Sequence, residues 1–144
     1  MTVLTDIGQL ATCPPDVHDA GLIPDAALVW DAGRVVWAGP EADLPDTFAE
    51  ADRQSAHGSL VIPGLVDCHT HLAFAGDRAD EFVERIKGTP YLEVARRGGG
   101  IQKTVRATRA ASDADLEAAA RERLAAMARQ GVTTVEAKTG YGLT

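Results

Sequence analysis

The run Val61-Ile-Pro-Gly-Leu-Val-Asp-Cys-His-Thr-His71 constrains this chain more than any other segment. Its apolar part is β-type, Pro63-Gly64 is a turn that launches it, and it breaks into two histidines one residue apart. Alternate residues of a strand project from one face. His69 and His71 therefore share one side of a strand end, where two imidazoles can converge on a single metal ion. Zinc–nitrogen bonds are short, ~2.0–2.1 Å, and imidazole is the commonest protein ligand for such metals. The plain alternative is two polar residues where a strand leaves the core. Directly after an apolar strand, metal ligation is the stronger reading. Asp67, two residues back on the same face, either orients a ligand or serves as an ordinary cap.

The chain before this run reads as β-rich. Ala27-Leu-Val-Trp30 and Val35-Val-Trp-Ala38 flank Asp31-Ala-Gly-Arg34, a hairpin with glycine available for a positive φ. The two tryptophans read as core or interface residues. Residues 40–56, acidic and interrupted by proline, read as a loop or edge. After a strand over about 61–68 the pattern turns helical. Phe82, Val83 and Ile86 form a short apolar face, and Leu92, Val94 and Ala95 continue it beyond Gly88-Thr-Pro90. Gly98-Gly-Gly100 interrupts the run, marking a backbone that approaches a ligand or a neighbouring element, or a flexible loop. Ser112 with Asp115 predicts a capping box. Leu116, Ala120, Leu124 and Met127 then share a helix face, and Gly131 ends that helix. Val132-Thr-Thr-Val135 is the next strand. Strand, helices and strand again is the pattern of βαβ units and a parallel sheet, with functional groups at the strand ends.

With 144 residues and 45% hydrophobic content, the chain has room for a real core and is not disordered. No stretch is long and apolar enough to cross a membrane, and the N-terminus lacks signal-peptide character. Only Cys13 and Cys68 are present, which fits a reducing cytoplasm. A net charge of -7 argues against non-specific nucleic-acid binding. Between Arg78 and Arg109, however, eight basic residues face four acidic ones, so that segment carries +4 and the remainder -11. Such a segment either favours a small anion or forms solvated helix faces, and the second reading is preferred for most of its residues.

Pro63-Gly-Leu-Val-Asp-Cys-His-Thr-His71 resembles the first-strand metal motif of the amidohydrolase superfamily. Its members join a metal-dependent TIM barrel to a β-sandwich built partly from the N-terminal segment. Further motifs narrow the resemblance to the imidazolonepropionase family: His69-Thr-His-Leu-Ala-Phe-Ala-Gly-Asp-Arg78, Gly88-Thr-Pro-Tyr91, Gly98-Gly-Gly-Ile101, Thr108-Arg109 and Val132-Thr-Thr-Val-Glu-Ala-Lys-Thr-Gly-Tyr-Gly-Leu143. The match is close over roughly 60–144 and loose before that. It implies a cytoplasmic enzyme that hydrolyses imidazolone propionate to formiminoglutamate in histidine degradation. One zinc or iron ion would serve it, as a homodimer when full length.

Residue by residue, the resemblance implies that His69 and His71 ligate metal, and that Arg78, Tyr91 and Tyr141 bind the small anionic substrate. Each has a plainer alternative. Arg78 can pair with Asp77 or Asp80 at a helix start, and Tyr91 after Pro90 can be a packing residue. Lys138 and Glu136 read as a mutually compensating interior pair beside a single metal, not as a carbamylated bridge between two. His18 and His57 read as non-catalytic.

The resemblance implies an α/β fold: an N-terminal β segment over 1–60, then the start of a TIM barrel over 61–144. A TIM barrel takes about 250 residues. The expectation is therefore an incomplete barrel, with two metal ligands, no convincing acid–base residue and an inactive isolated polypeptide. Two other readings stay open. One is a deaminase or hydantoinase-like amidohydrolase, against which the spacing of Arg78, Tyr91 and Tyr141 argues. The other is a non-catalytic truncated domain that needs a partner chain.

Overall fold

The computed structural model describes residues 1–15 and 18–142. Its contacts divide the chain into two units, Met1–Pro63 and Gly64–Thr144. In the first unit β1 (Thr2–Ala11), β2 (Leu22–Asp31) and β3 (Arg34–Pro40) form an antiparallel meander. Ala32 and Gly33 turn the β2–β3 hairpin with φ of 48° and 77°. Positive φ at both positions matches the turn's twist to that of the strands. The acidic segment expected as a loop or edge forms two 3-10 turns, Glu41–Asp43 and Asp46–Phe48, followed by a short strand β4 (Asp52–Ser55).

Both β4 and β5 (Leu60–Val61) run parallel to β1, β4 beside its first half and β5 beside its second. Between those pairings β1 breaks register at Leu4–Ile7, with Asp6 at φ 53°. Side chains anchor that bulge. The Asp6 N–H donates to the Glu41 carboxylate at 2.7 Å, and the Ser55 hydroxyl donates to the Asp6 carboxylate at 2.9 Å. Ile7, Leu10 and Ala26 form the core, with Leu4, Ile23, Leu28, Ala56 and Val61 against them. Trp30 and Trp37 are only half-buried.

The second unit begins where the predicted strand over about 61–68 divides. Leu60–Val61 joins the first sheet, and Pro63, which has no N–H for a ladder, separates it from β6 (Leu65–Thr70). Then come α1 (Ala79–Ile86), α2 (Tyr91–Arg96), α3 (Ile101–Ala110), α4 (Asp113–Arg129) and β7 (Val132–Ala137). β6 and β7 pair in parallel. The chain is thus α/β, with a mixed sheet in one unit and a parallel strand pair with helices in the other.

The capping box opens α4 as expected. The Ser112 hydroxyl accepts from the Asp115 N–H at 3.2 Å, and the Asp115 carboxylate accepts from the Ser112 N–H at 3.3 Å. Hydrogen bonds from the Ser112 side chain and backbone hold the Asp115 carboxyl below its ordinary value.

The three glycines accommodate α1. Gly98 and Gly100 have φ of 82° and 66°. The Gly100 N–H donates to both oxygens of Glu81 at 3.0 Å. A Cβ on Gly99 would lie 2.7 Å from Glu81 Oε1 and 2.7 Å from Val94. A carboxylate at the first turn of α3 meets unpaired N–H groups and the positive end of the helix dipole. Two ion pairs strengthen the same junction, Arg97–Glu84 and Lys103–Asp80, both at 2.7 Å. The Lys103 ammonium holds the Asp80 carboxyl below its usual range, and Asp80 raises Lys103 in return.

Burial in this unit centres on Leu72, Val94, Thr104 and Val105. The expected apolar face of Phe82, Val83 and Ile86 lies open, at 64%, 47% and 71% exposure, and Val66 of β6 is 67% exposed.

Removing the Glu81 carboxylate leaves the Gly100 N–H without its acceptor. Glu81→Ala is expected to lower unfolding free energy by about 1–2 kcal/mol, and Glu81→Gln by less. Denaturant titration checks this, and an unchanged midpoint for Glu81→Ala excludes the cap. Because the folded Asp115 pKa is depressed, its stabilisation is present above the unfolded value near 3.8 and fades as pH falls through the folded value. Ser112→Ala is expected to return the Asp115 carboxyl, followed by NMR titration, towards that ordinary value.

Candidate metal centre

β6 delivers its polar groups through strand alternation: Asp67 and His69 project on one side, and His71 follows just past the last paired residue. Asp67 Oδ1 accepts from the His69 backbone N–H at 3.1 Å. Its role is local, holding the strand end rather than an imidazole ring. The His69 and His71 ring centres lie 5.6 Å apart, with their planes at 81°. Two imidazoles on one tetrahedral ion, each bonded at ~2.0–2.1 Å, hold their centres about 5 Å apart. The observed separation is close to that value.

The β6–β7 pairing determines which His71 nitrogen is free. At the end of the pairing the Lys138 N–H donates to the Thr70 carbonyl at 2.8 Å. The carbonyl of the same Lys138 lies 3.1 Å from His71 Nδ1. A carbonyl only accepts, so in the neutral ring this contact selects the tautomer with the proton on Nδ1 and the lone pair on Nε2.

Tyr141, in the loop after β7, reaches the same place. Its ring centre is 5.2 Å from His71 and 5.3 Å from Phe74. The Arg123 guanidinium of α4 lies 3.7 Å over the Phe74 ring, and Arg123 also donates to the Leu72 carbonyl. At the end of α3, Arg109 Nε donates to the Gly142 carbonyl at 3.0 Å, and Thr108 Oγ1 accepts from the Ala75 N–H at 3.2 Å. The loops after β6 and β7 are thus clamped from α3 and α4. Phe74 and Arg123 escaped the sequence reading, although Phe74 follows the histidine pair by three residues.

Arg78 and Tyr91 come together elsewhere. With Glu81, Phe82, Arg85 and Val94 they line a cleft of about 200 Å³ that shares no lining residue with the cleft around Tyr141. Arg78 occupies the N-cap of α1. Both carboxylates that offered it a plain partner are engaged elsewhere. Asp77 accepts from the Ala79 N–H at 3.0 Å, and Asp80 holds Lys103. Among the described residues the Arg78 guanidinium has no ion-pair or hydrogen-bond partner. Tyr91 starts α2, is 54% exposed, and keeps its hydroxyl beside Gly100.

Lys138 and Glu136 form the expected ion pair, but it is not interior as expected: more than half of the Glu136 side chain is exposed at the strand end. Among the described residues no three His, Cys, Asp or Glu side chains gather as a metal site. Leu143, the last residue of the Tyr141 motif, lies outside the described residues.

No family model matches the chain. It is 55% identical over 129 residues to the imidazolonepropionase of Cupriavidus necator, covering 90% of this chain and 31% of that protein. It is 53% identical over 135 residues to the imidazolonepropionase of Paracoccus denitrificans, covering 94% of this chain and 34% of that one. Among solved structures it is similar to A. niger ochratoxinase, with a TM-score of 0.54, 22% identity and coverage of 98% of this chain and 26% of that one. It is also similar to atrazine chlorohydrolase TrzN from Arthrobacter aurescens complexed with zinc, with a TM-score of 0.53, 19% identity and coverage of 94% and 28%. Identities this low speak for the fold alone. The resemblance carried by the motifs thus extends along nine-tenths of the chain, which is similar to the imidazolonepropionases and spans about a third of their length.

Proposed function

We propose that His69 and His71 are two ligands of one divalent metal ion, zinc or iron, in a hydrolase of imidazolone propionate. The observation that carries this reading is the imidazole pair at 5.6 Å, with Nδ1 of His71 turned to the Lys138 carbonyl and Nε2 left free. The named relatives and the zinc held by TrzN support it. Imidazole serves zinc and iron alike, so the proposal covers both.

The reaction opens a cyclic amide. Water adds to the carbonyl carbon, the ring C–N bond breaks, and the nitrogen leaves with a proton to give formiminoglutamate, a step of L-histidine degradation. A bound divalent ion supplies a water acidic enough to ionise near neutral pH and polarises the carbonyl. The chain's own groups bind and orient. Arg78 offers a planar two-pronged donor to the propionate carboxylate, and Tyr91 lines its cleft. Tyr141, packed beside His71, presents a hydroxyl that can donate to the ring or accept from it.

The same reading makes 61–144 the start of an amidohydrolase TIM barrel and 1–60 the first part of a composite β-sandwich. The remaining ligands and the acid–base groups would come from the length of the relatives that this chain does not span. The full-length enzyme would work in the cytoplasm as a homodimer.

In the full-length protein, His71→Ala is expected to abolish both metal content and hydrolysis. Retention of stoichiometric metal, read by elemental analysis, removes His71 from the site. Arg78→Ala is expected to raise KM roughly tenfold to a hundredfold with a smaller change in kcat, the loss of one charge-assisted hydrogen-bonded contact. An unchanged KM counts against the clamp. The 144-residue chain alone is expected to turn over no substrate, and metal-dependent loss of imidazolone propionate in its presence overturns that.

A further inference from the structure

We infer that Gly140 is a positioning residue for His71. The loop after β7 is a cradle that sets the His71 ring, and the absence of a side chain at residue 140 is what admits the ring. This inference rests on the proposal that His71 ligates metal.

Three contacts from one loop, at residues 138, 140 and 141, meet the same imidazole. The Lys138 carbonyl accepts from Nδ1 at 3.1 Å. The backbone of Gly140 passes so close that a Cβ there would lie 2.4 Å from Nδ1 and 2.6 Å from Cε1. The Tyr141 ring closes the contact at 5.2 Å between centres. The loop is held at both ends, by the Lys138 N–H on the Thr70 carbonyl at 2.8 Å and by Arg109 on the Gly142 carbonyl at 3.0 Å. It therefore has little freedom to retreat from a new methyl group, so the ring must swing instead.

The backbone at Gly140 does not itself demand glycine. Its φ lies outside the left-handed region, unlike that of Gly131 at 87°. The requirement at 140 is one of space, and the space belongs to His71. Gly142, two residues on, has nothing within 4 Å of where its Cβ would stand. It is a matched control in the same loop.

A swung ring loses the Nδ1–H donation to Lys138, and with it the preference for presenting Nε2. Groups that orient a metal-bound histidine in this way typically carry a roughly 10–100-fold effect on metal affinity. In the full-length protein, chelator competition is expected to show such a weakening for Gly140→Ala and less than a twofold change for Gly142→Ala. Far-UV circular dichroism should remain native for both.

A Gly140→Ala protein that binds metal as tightly as the parent overturns the inference, as does equal weakening by Gly142→Ala. A second measurement needs neither variant nor metal. In the metal-free parent protein, nitrogen-15 NMR of His71 is expected to report the Nδ1-protonated tautomer, and a dominant Nε2-protonated tautomer also overturns it. If the parent takes up no metal while the Nδ1-protonated tautomer is present and is lost in Gly140→Ala, the cradle stands and the metal reading falls.

Discussion

The parallel pairing of β6 with β7 is the constraint on which the candidate site depends. The two strands are separated in sequence by four helices, and no local interaction would bring Lys138 to Thr70. Once the strands are in register, a single residue serves twice: its N–H completes the pairing and its carbonyl selects the protonated nitrogen of His71. A slip of one residue would turn every side chain of the strand to its other face. The geometry of His69 and His71 is therefore a consequence of strand register, not of the His-Thr-His spacing alone.

The basic segment over 78–109 illustrates how net charge and local chemistry part company. Its excess of positive charge invites an anion-binding reading. Much of that charge has structural work instead, since Arg97 and Lys103 hold the acidic face of α1. The same packing engages Asp80 and Asp77, the carboxylates nearest to Arg78 in sequence, and leaves its guanidinium unpaired among the described residues. Arg85, which lines the same cleft, likewise has no ion-pair or hydrogen-bond partner among the described residues. Arg78 and Tyr91 line one cleft with Glu81, which lies one turn further along α1 and caps α3 beside the Tyr91 hydroxyl.

Features governed by local physics were legible in the sequence. The hairpin at Ala32-Gly33, the Ser112–Asp115 box and the parallel strand after Gly131 all follow from periodicity and from residue types that satisfy backbone groups nearby. Features that depend on distant partners were not. The strand predicted over about 61–68 divides because its first residues find β1 and its last find β7. The apolar face of Phe82, Val83 and Ile86 has helical spacing, yet periodicity says nothing of what covers it, and it lies open here. Phe74 gains its place from Arg123, some fifty residues later and on another element. The glycines at 98–100 could be read as a close approach, but only packing identifies the neighbour as Glu81 rather than a ligand.

Within this chain, the described residues place little buried apolar surface beneath the site. Leu65 and Val66 are 46% and 67% exposed, so β6 itself buries little apolar surface, although parallel strands are normally covered on both faces. The buried side chains of this unit, Val94, Thr104 and Val105 among them, belong mostly to the helices. What steadies the strand-end loops is a set of polar and aromatic clamps: Arg123 on Leu72 and Phe74, Thr108 on Ala75, and Arg109 on Gly142. Each such contact contributes only about 0.5–1.5 kcal/mol by itself. Because several act on two short adjoining loops, releasing one leaves the others to limit how far the rings can move. Within this chain, the strand-end loops are ordered by the helices that flank them.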